Sequence, residues 1–219
     1  MPYRRKYKRK SRRRRRRRNN PQMRSIVPYK MIRSLPYADP AVSLNAGAVP
    51  GTATVVIFRA NDLFDPNFTG VGHQPRGFDQ IMALYDHFVC LGSRIKVNCT
   101  LLDTTPGPVK LGITLLDNST TLNTIAYLES PNTRFITLND DERRGVLKGK
   151  SFNTRKFLGR SHPLSDPDLK GNASAGPSEN AFYHIWAAPE TSTDAGELAL
   201  TVKMDYMTAF IEPTIPAQS

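Results

Sequence analysis

Cysteine is scarce in this chain: two among 219 residues, Cys90 and Cys99. Two cysteines make no disulfide framework, which fits a reducing compartment or indifference to redox state. Long apolar runs are also missing, and none approaches the ~18–20 residues of a membrane-spanning helix. The start is cationic but has no apolar stretch behind it, so it is not read as a secretory signal. It lacks the Ser-rich amphipathic spacing of a transit peptide too. The sequons at Asn67, Asn98, Asn118 and Asn172 therefore read as chance matches in a soluble intracellular protein. The most uneven shortage is acid: no carboxylate precedes Asp39.

Charge is correspondingly split. The formal net charge is +12, yet residues 1–33 hold 16 of the 31 basic side chains and none of the 19 acidic ones. The other 186 residues carry 15 basic and 19 acidic groups, a net of −4. The cations of the arm are Arg4, Arg5, Lys6, Lys8, Arg9, Lys10, Arg12, Arg13, Arg14, Arg15, Arg16, Arg17 and Arg18, followed by Arg24. Seven adjacent arginines repel one another and bury nothing, so residues 1–33 are expected to be a disordered arm. Such a density of charge calls for a polyanion, bound with steep salt dependence and without regard to sequence. Arginine's planar fork suits phosphate, and Tyr3 and Tyr7 could stack on unpaired bases. The same cluster also reads as a nuclear-import signal.

Beyond the arm, residues 34–51, rich in Pro, Ala and Gly, read as an extended linker. Residues 52–219 then read as one domain, large enough to bury a core without staples. Strand candidates are Thr54–Ala60, His87–Leu102 with a bulge or bend at Gly92, Val109–Asp117, Thr133–Leu138, Lys150–Leu158, Ala181–Ala188 and Glu197–Ile211. Ala41–Asn45 is an eighth if it pairs. The last long candidate puts Leu198, Leu200, Val202, Met204, Tyr206, Thr208 and Phe210 on one face, with Lys203 and Asp205 on the other. Short helices are expected at Phe78–Leu84 and Thr121–Glu129. Two connections, 61–77 and 159–180, are long for a compact domain. This combination predicts an all-β fold, a single eight-stranded antiparallel jelly roll.

Catalytic patterns are not found. Gly145–Ser151 has three residues, not four, before Gly-Lys-Ser, and the residues beyond Ser151 read as strand, so it is not a phosphate loop. His73, His87, His162 and His184 are scattered without metal-ligand spacing. Cys90 and Cys99, nine apart, fall on opposite faces of an unbroken strand unless Gly92 shifts the phase. No cofactor is expected and the chain is not read as an enzyme. Asp62 and Asp65 in NDLFDP, and Asp140, Asp141 and Glu142, are candidates for Ca²⁺, weighed against ordinary turn roles.

Arm, linker and a jelly roll without a catalytic site together resemble a small viral capsid protein. The stretch ANDLFDPNFTGVGHQPRGFDQIMALYDHFVCLGSRIKV, residues 60–97, is similar to the corresponding block in capsid proteins of circular, Rep-encoding single-stranded DNA viruses (circovirus-like). The resemblance implies a coat of identical subunits, commonly about sixty, around circular single-stranded DNA. It places the arm inside and gives the arm a role in nuclear import. About sixty arms of this kind present roughly 780 cations, a match for on the order of 800 phosphates. Expected partners are viral nucleic acid, further copies of the chain, a host import receptor and a cell-surface receptor, in the virion and in the host nucleus during assembly. Similar jelly rolls coat small positive-strand RNA viruses, so the resemblance fixes "capsid" better than it fixes DNA. Phe64, Phe68 and Val71, apolar and near loop ends, become candidate contacts between copies. The competing reading is a non-assembling nucleic-acid-binding module with a basic tail. Such a module calls for basic and aromatic residues clustered on a sheet face, which a net-acidic body is not expected to have.

Overall fold

The computed structural model describes residues 27–70, 72–103, 107–191 and 196–214. In chain order its elements are β1 (Lys30–Asn45), β2 (Thr54–Arg59), α1 (Phe78–Met82), β3 (Tyr85–Leu101), β4 (Val109–Leu116), α2 (Thr124–Glu129) and β5 (Thr133–Leu138). There follow β6 (Arg144–Lys148), β7 (Phe152–Asn153), α3 (Thr154–Phe157), two 3-10 turns at Pro163–Ser165 and Pro167–Leu169, β8 (Phe182–Pro189) and β9 (Glu197–Pro213).

Period-two alternation gives a strand one face to bury and one to leave in water. In β9 every member of the predicted apolar set, from Leu198 to Phe210, is buried, while Lys203 and Asp205 are exposed. Strands of this kind assemble into two antiparallel sheets, one in the order β1-β9-β3-β6 with β7 also on β3, the other in the order β2-β8-β4-β5. The chain crosses between sheets from β1 to β2, β2 to β3, β3 to β4, β5 to β6, β7 to β8 and β8 to β9. That winding of two sheets, each with four principal strands, over one core is the jelly roll. The shared core takes Leu35, Tyr37 and Leu44 from β1, Val97 and Leu101 from β3, Leu111 and Ile113 from β4, Tyr183 and Ile185 from β8, and the inner face of β9.

Two local expectations change, and one strand forms where none was expected. Residues 34–45, read as linker, are most of β1, which pairs with β9 from Lys30↔Ile211 to Asn45↔Glu197. Proline supplies no N–H, but β1 is an edge strand where that is tolerated, and the register shifts between Asp39 and Val42, around Pro40. The predicted strand 150–158 forms only at Phe152–Asn153. There the Asn153 side chain accepts a hydrogen bond from the Lys156 N–H and starts the one-turn helix α3. The glycine-lysine segment rejected as a phosphate loop is largely β6, paired with β3.

The bend at Gly92 is a bulge. Cys90 pairs with Thr208, Gly92 with Met207, and Leu91 is the extra residue. The inserted residue shifts the phase, so Cys90 and Cys99 both face the core.

Candidate nucleic-acid and assembly surfaces

All fourteen cations assigned to nucleic acid, Arg4 to Arg18 and Arg24, lie outside the described residues. What the structure fixes is the point where the arm joins the body. Val27 is buried in the main core, and the Pro28 carbonyl accepts a hydrogen bond from the Tyr85 hydroxyl at 2.8 Å. Tyr29 is 77% exposed beside Lys30, Arg155 and His162, around a cavity of about 340 Å³. The arm is thus anchored two residues before the first strand of the β1-β9-β3-β6 sheet.

The acidic loops are engaged locally. Asp65 Oδ2 accepts from Arg59 Nη1 at 2.5 Å, and Asp62 Oδ2 lies 3.9 Å from Arg59 Nε. Asp62 Oδ1 accepts from the backbone N–H groups of Phe64 and Asp65, an ordinary turn role. Burial pushes the Asp62 carboxyl up to about 6, although those N–H groups and Arg59 pull it down. Both carboxylates therefore face the Arg59 guanidinium, and Asp62 also holds the turn. At the other group, Asp140 pairs with Arg143 and the Glu142 N–H donates to the Asn139 side chain. Among the described residues no three His, Cys, Asp or Glu side chains come together as a metal site. Burial drives the Cys90 thiol up to about 12 and raises Cys99, which leaves neither poised as a nucleophile.

Of the apolar loop residues, Phe64 packs against the main core. Phe68 remains 39% exposed, edge-on to Phe182 and under the Arg59 guanidinium. Val71 lies outside the described residues.

One charged cluster escaped the sequence. Lys203 is paired with Lys96, and Lys96 with Lys148, so three lysines from β9, β3 and β6 stand side by side across the outer face of one sheet. Arg94 and Arg144 flank them on that face. The expectation that a net-acidic body has no basic sheet face is therefore corrected. Net charge averages over a surface on which Arg59, Lys110, Arg143, Arg160 and Lys170 are paired with carboxylates while this row is not. Only the strand register could have revealed it, since the three residues are far apart in sequence.

Two antiparallel sheets in jelly-roll order, joined at their edge strand to a polycationic arm, define the class of chain. No family model matches the sequence, and no curated protein is similar to it. Solved structures similar to the chain include one from mud crab tombus-like virus, 11% identical with a TM-score of 0.45, covering 91% of this chain and 96% of that one. Another is from the semi-empty virus-like particle of the Macrobrachium rosenbergii nodavirus, 9% identical with a TM-score of 0.44, covering 89% and 100%. A third, from tobacco necrosis virus, is 13% identical with a TM-score of 0.44, covering 88% and 87%.

Proposed function

We propose that this chain is a viral coat protein. It self-assembles into a small icosahedral shell and packages circular single-stranded DNA through the arginines and lysines of residues 1–33. The observation that carries the reading is the junction: thirteen cations in the first 18 residues, without one acid, feed the edge strand of a jelly roll. Such an arm supplies sequence-independent affinity for polyphosphate. A body of net charge −4 avoids the repulsion that many basic copies side by side would suffer. The choice of DNA rests on the block 60–97 and its resemblance to circovirus-like capsid proteins, and the role in nuclear import on that resemblance and on the basic cluster of the arm.

Expression of the full chain should yield closed particles by negative-stain microscopy, with nucleic acid protected inside. Deleting residues 2–18 should leave the body folded and empty the particles. Protected nucleic acid in infected cells should be sensitive to DNase, and not to RNase, once released. A full chain that stays monomeric across salt and pH, with and without nucleic acid, overturns the coat reading in favour of the non-assembling module.

A further inference from the structure

The outer face of the β1-β9-β3-β6 sheet is built against ordinary sheet practice. Like charges directly opposed on neighbouring strands destabilise a sheet. Here one row reads Ala38, Lys203, Lys96, Lys148 across four strands, with neighbouring strands about 4.8 Å apart. The next row toward β7 holds Pro36, Asp205 and Arg94, and two rows the other way Arg144 stands opposite Thr100. Five cations thus share the face with two carboxylates, Asp205 beside Arg94 and Glu197 one row beyond Arg144. None of the five is in an ion pair among the described residues. A feature that breaks a local rule with no internal compensation marks a surface whose partner lies outside the fold.

Beside the row lies a depression of about 480 Å³, bordered by Ser34, Arg94, Ser151, Asn153 and Met207. Met207 is 52% exposed, an apolar floor between cations and hydroxyl or amide groups. We infer that Lys203, Lys96 and Lys148, with Arg94, form a second nucleic-acid contact. This face takes the phosphate backbone of a single strand along the lysine row and admits an unpaired base over Met207. The inference rests on the coat reading in one respect, that the arm brings nucleic acid to this molecule. The arm joins the same sheet through β1, and Ala38 of that strand lies about 27 Å along it from Lys30. The 26 residues of the arm ahead of Val27 can span at most about 90 Å, so polymer held by their cations has this face within range. Charge complementarity selects a polyanion over another copy of the chain, whose body is net acidic by only four charges.

The test is an amine-labelling footprint on the full chain, with and without a single-stranded oligonucleotide, run with DNA and with RNA of one length. Lys96, Lys148 and Lys203 should label several-fold less when nucleic acid is bound, while Lys110, on the other sheet, should not change. Nuclease digestion should restore labelling. Phosphate contacts do not tell DNA from RNA, so equal protection by both is expected, and protection by one alone would overturn the backbone contact. Protection that survives digestion would assign the face to contacts between copies and overturn the inference. In the full chain carrying Lys96→Gln, Lys148→Gln and Lys203→Gln, the slope of log affinity against log salt should flatten by about 2. An unchanged slope would sink it. Unprotected lysines in particles filled with nucleic acid would remove this contact and leave the coat reading standing, whereas absence of particles would strike the coat reading alone.

Discussion

The two sheets bury the same kind of inner face and treat their outer faces in opposite ways. Outside β2-β8-β4-β5, the segment around α2 lies on the sheet and stacks Tyr127 on Trp186 with ring centroids 5.3 Å apart. Ala188, Leu116, Val55 and Leu122 fill in around them. Gly112 makes room: a Cβ there would lie 2.1 Å from the Trp186 ring. Outside β1-β9-β3-β6, only the Val89–Ile211 end is covered, by Leu158, Leu164 and Leu169. From Arg94 to Thr100 the outer face is bare among the described residues and carries the cations. One sheet has used its second face for stability, and the other has kept it for contact.

The sharpest way to break that contrast is to truncate one outward residue on each sheet. Trp186→Ala should cost about 3–5 kcal/mol in urea unfolding, since it removes a fully buried ring and unseats Tyr127. Met207→Ala should stay within about 0.5 kcal/mol of wild type. Comparable losses at both positions would show that the face at Met207 is covered as well.

The same asymmetry explains what was legible in the sequence. Strand β8, YHIWAA at its centre, is apolar on both phases, the pattern of a strand buried on both faces. Strand β9 alternates from Leu198 to Thr208, as a strand with one wet face should, and only its covered end from Ala209 to Ile211 is buried on both phases. The edge strand β1 was obscured by Pro36 and Pro40, which are breakers in isolation and tolerable where one side of the strand has no neighbour. Strand β6 is five residues amid charge, and its identity comes from pairing with β3 rather than from its own composition. The arm and its chemistry are plain in sequence because they depend on density of charge alone. The lysine row depends on which residue of β9 faces which residue of β3, information that arises only on folding.

A smaller effect separates the buried polar groups. His184 is enclosed, its Nε2–H donating to the Asn118 carbonyl at 2.9 Å and its Nδ1 accepting from the Tyr127 hydroxyl at 2.9 Å. The Asn118 carbonyl can only accept, which sets this tautomer. Burial pushes the His184 imidazole below its ordinary value, against the pull of Asn118. The unfolded chain takes its proton near pH 6.5 while the folded chain remains neutral to lower pH, so stability falls as pH drops through that window. His184→Gln should cost about 1–2 kcal/mol at pH 8 and less at pH 5. Asp62, raised to about 6, has the opposite sign: its contribution is complete below the unfolded value near 3.8 and is lost as pH rises through about 6. Relative to wild type, Asp62→Asn should therefore be more stable at pH 8 than at pH 5. Urea midpoints at the two pH values check both signs, and parallel shifts for the two variants would refute the assignment.

The smallest effect bears most directly on why the second sheet stays bare. If the lysine row costs stability, Lys96→Gln should raise it, because Lys96 has a like charge on either side in the register. A gain of about 0.5 kcal/mol is expected at low ionic strength. Lys148→Gln, at the end of the row, relieves one repulsion and should gain about half as much. Raising the salt to 1 M shortens the screening length from about 10 Å at 0.1 M to about 3 Å, below the strand spacing, and should erase both gains. Bound single-stranded oligonucleotide should erase them as well, by neutralising the row in the wild type and not in the variant. A Lys96→Gln chain no more stable than wild type at low salt would mean that the three ammonium groups splay far enough apart to escape one another. The face would then carry its cations at no cost to the fold.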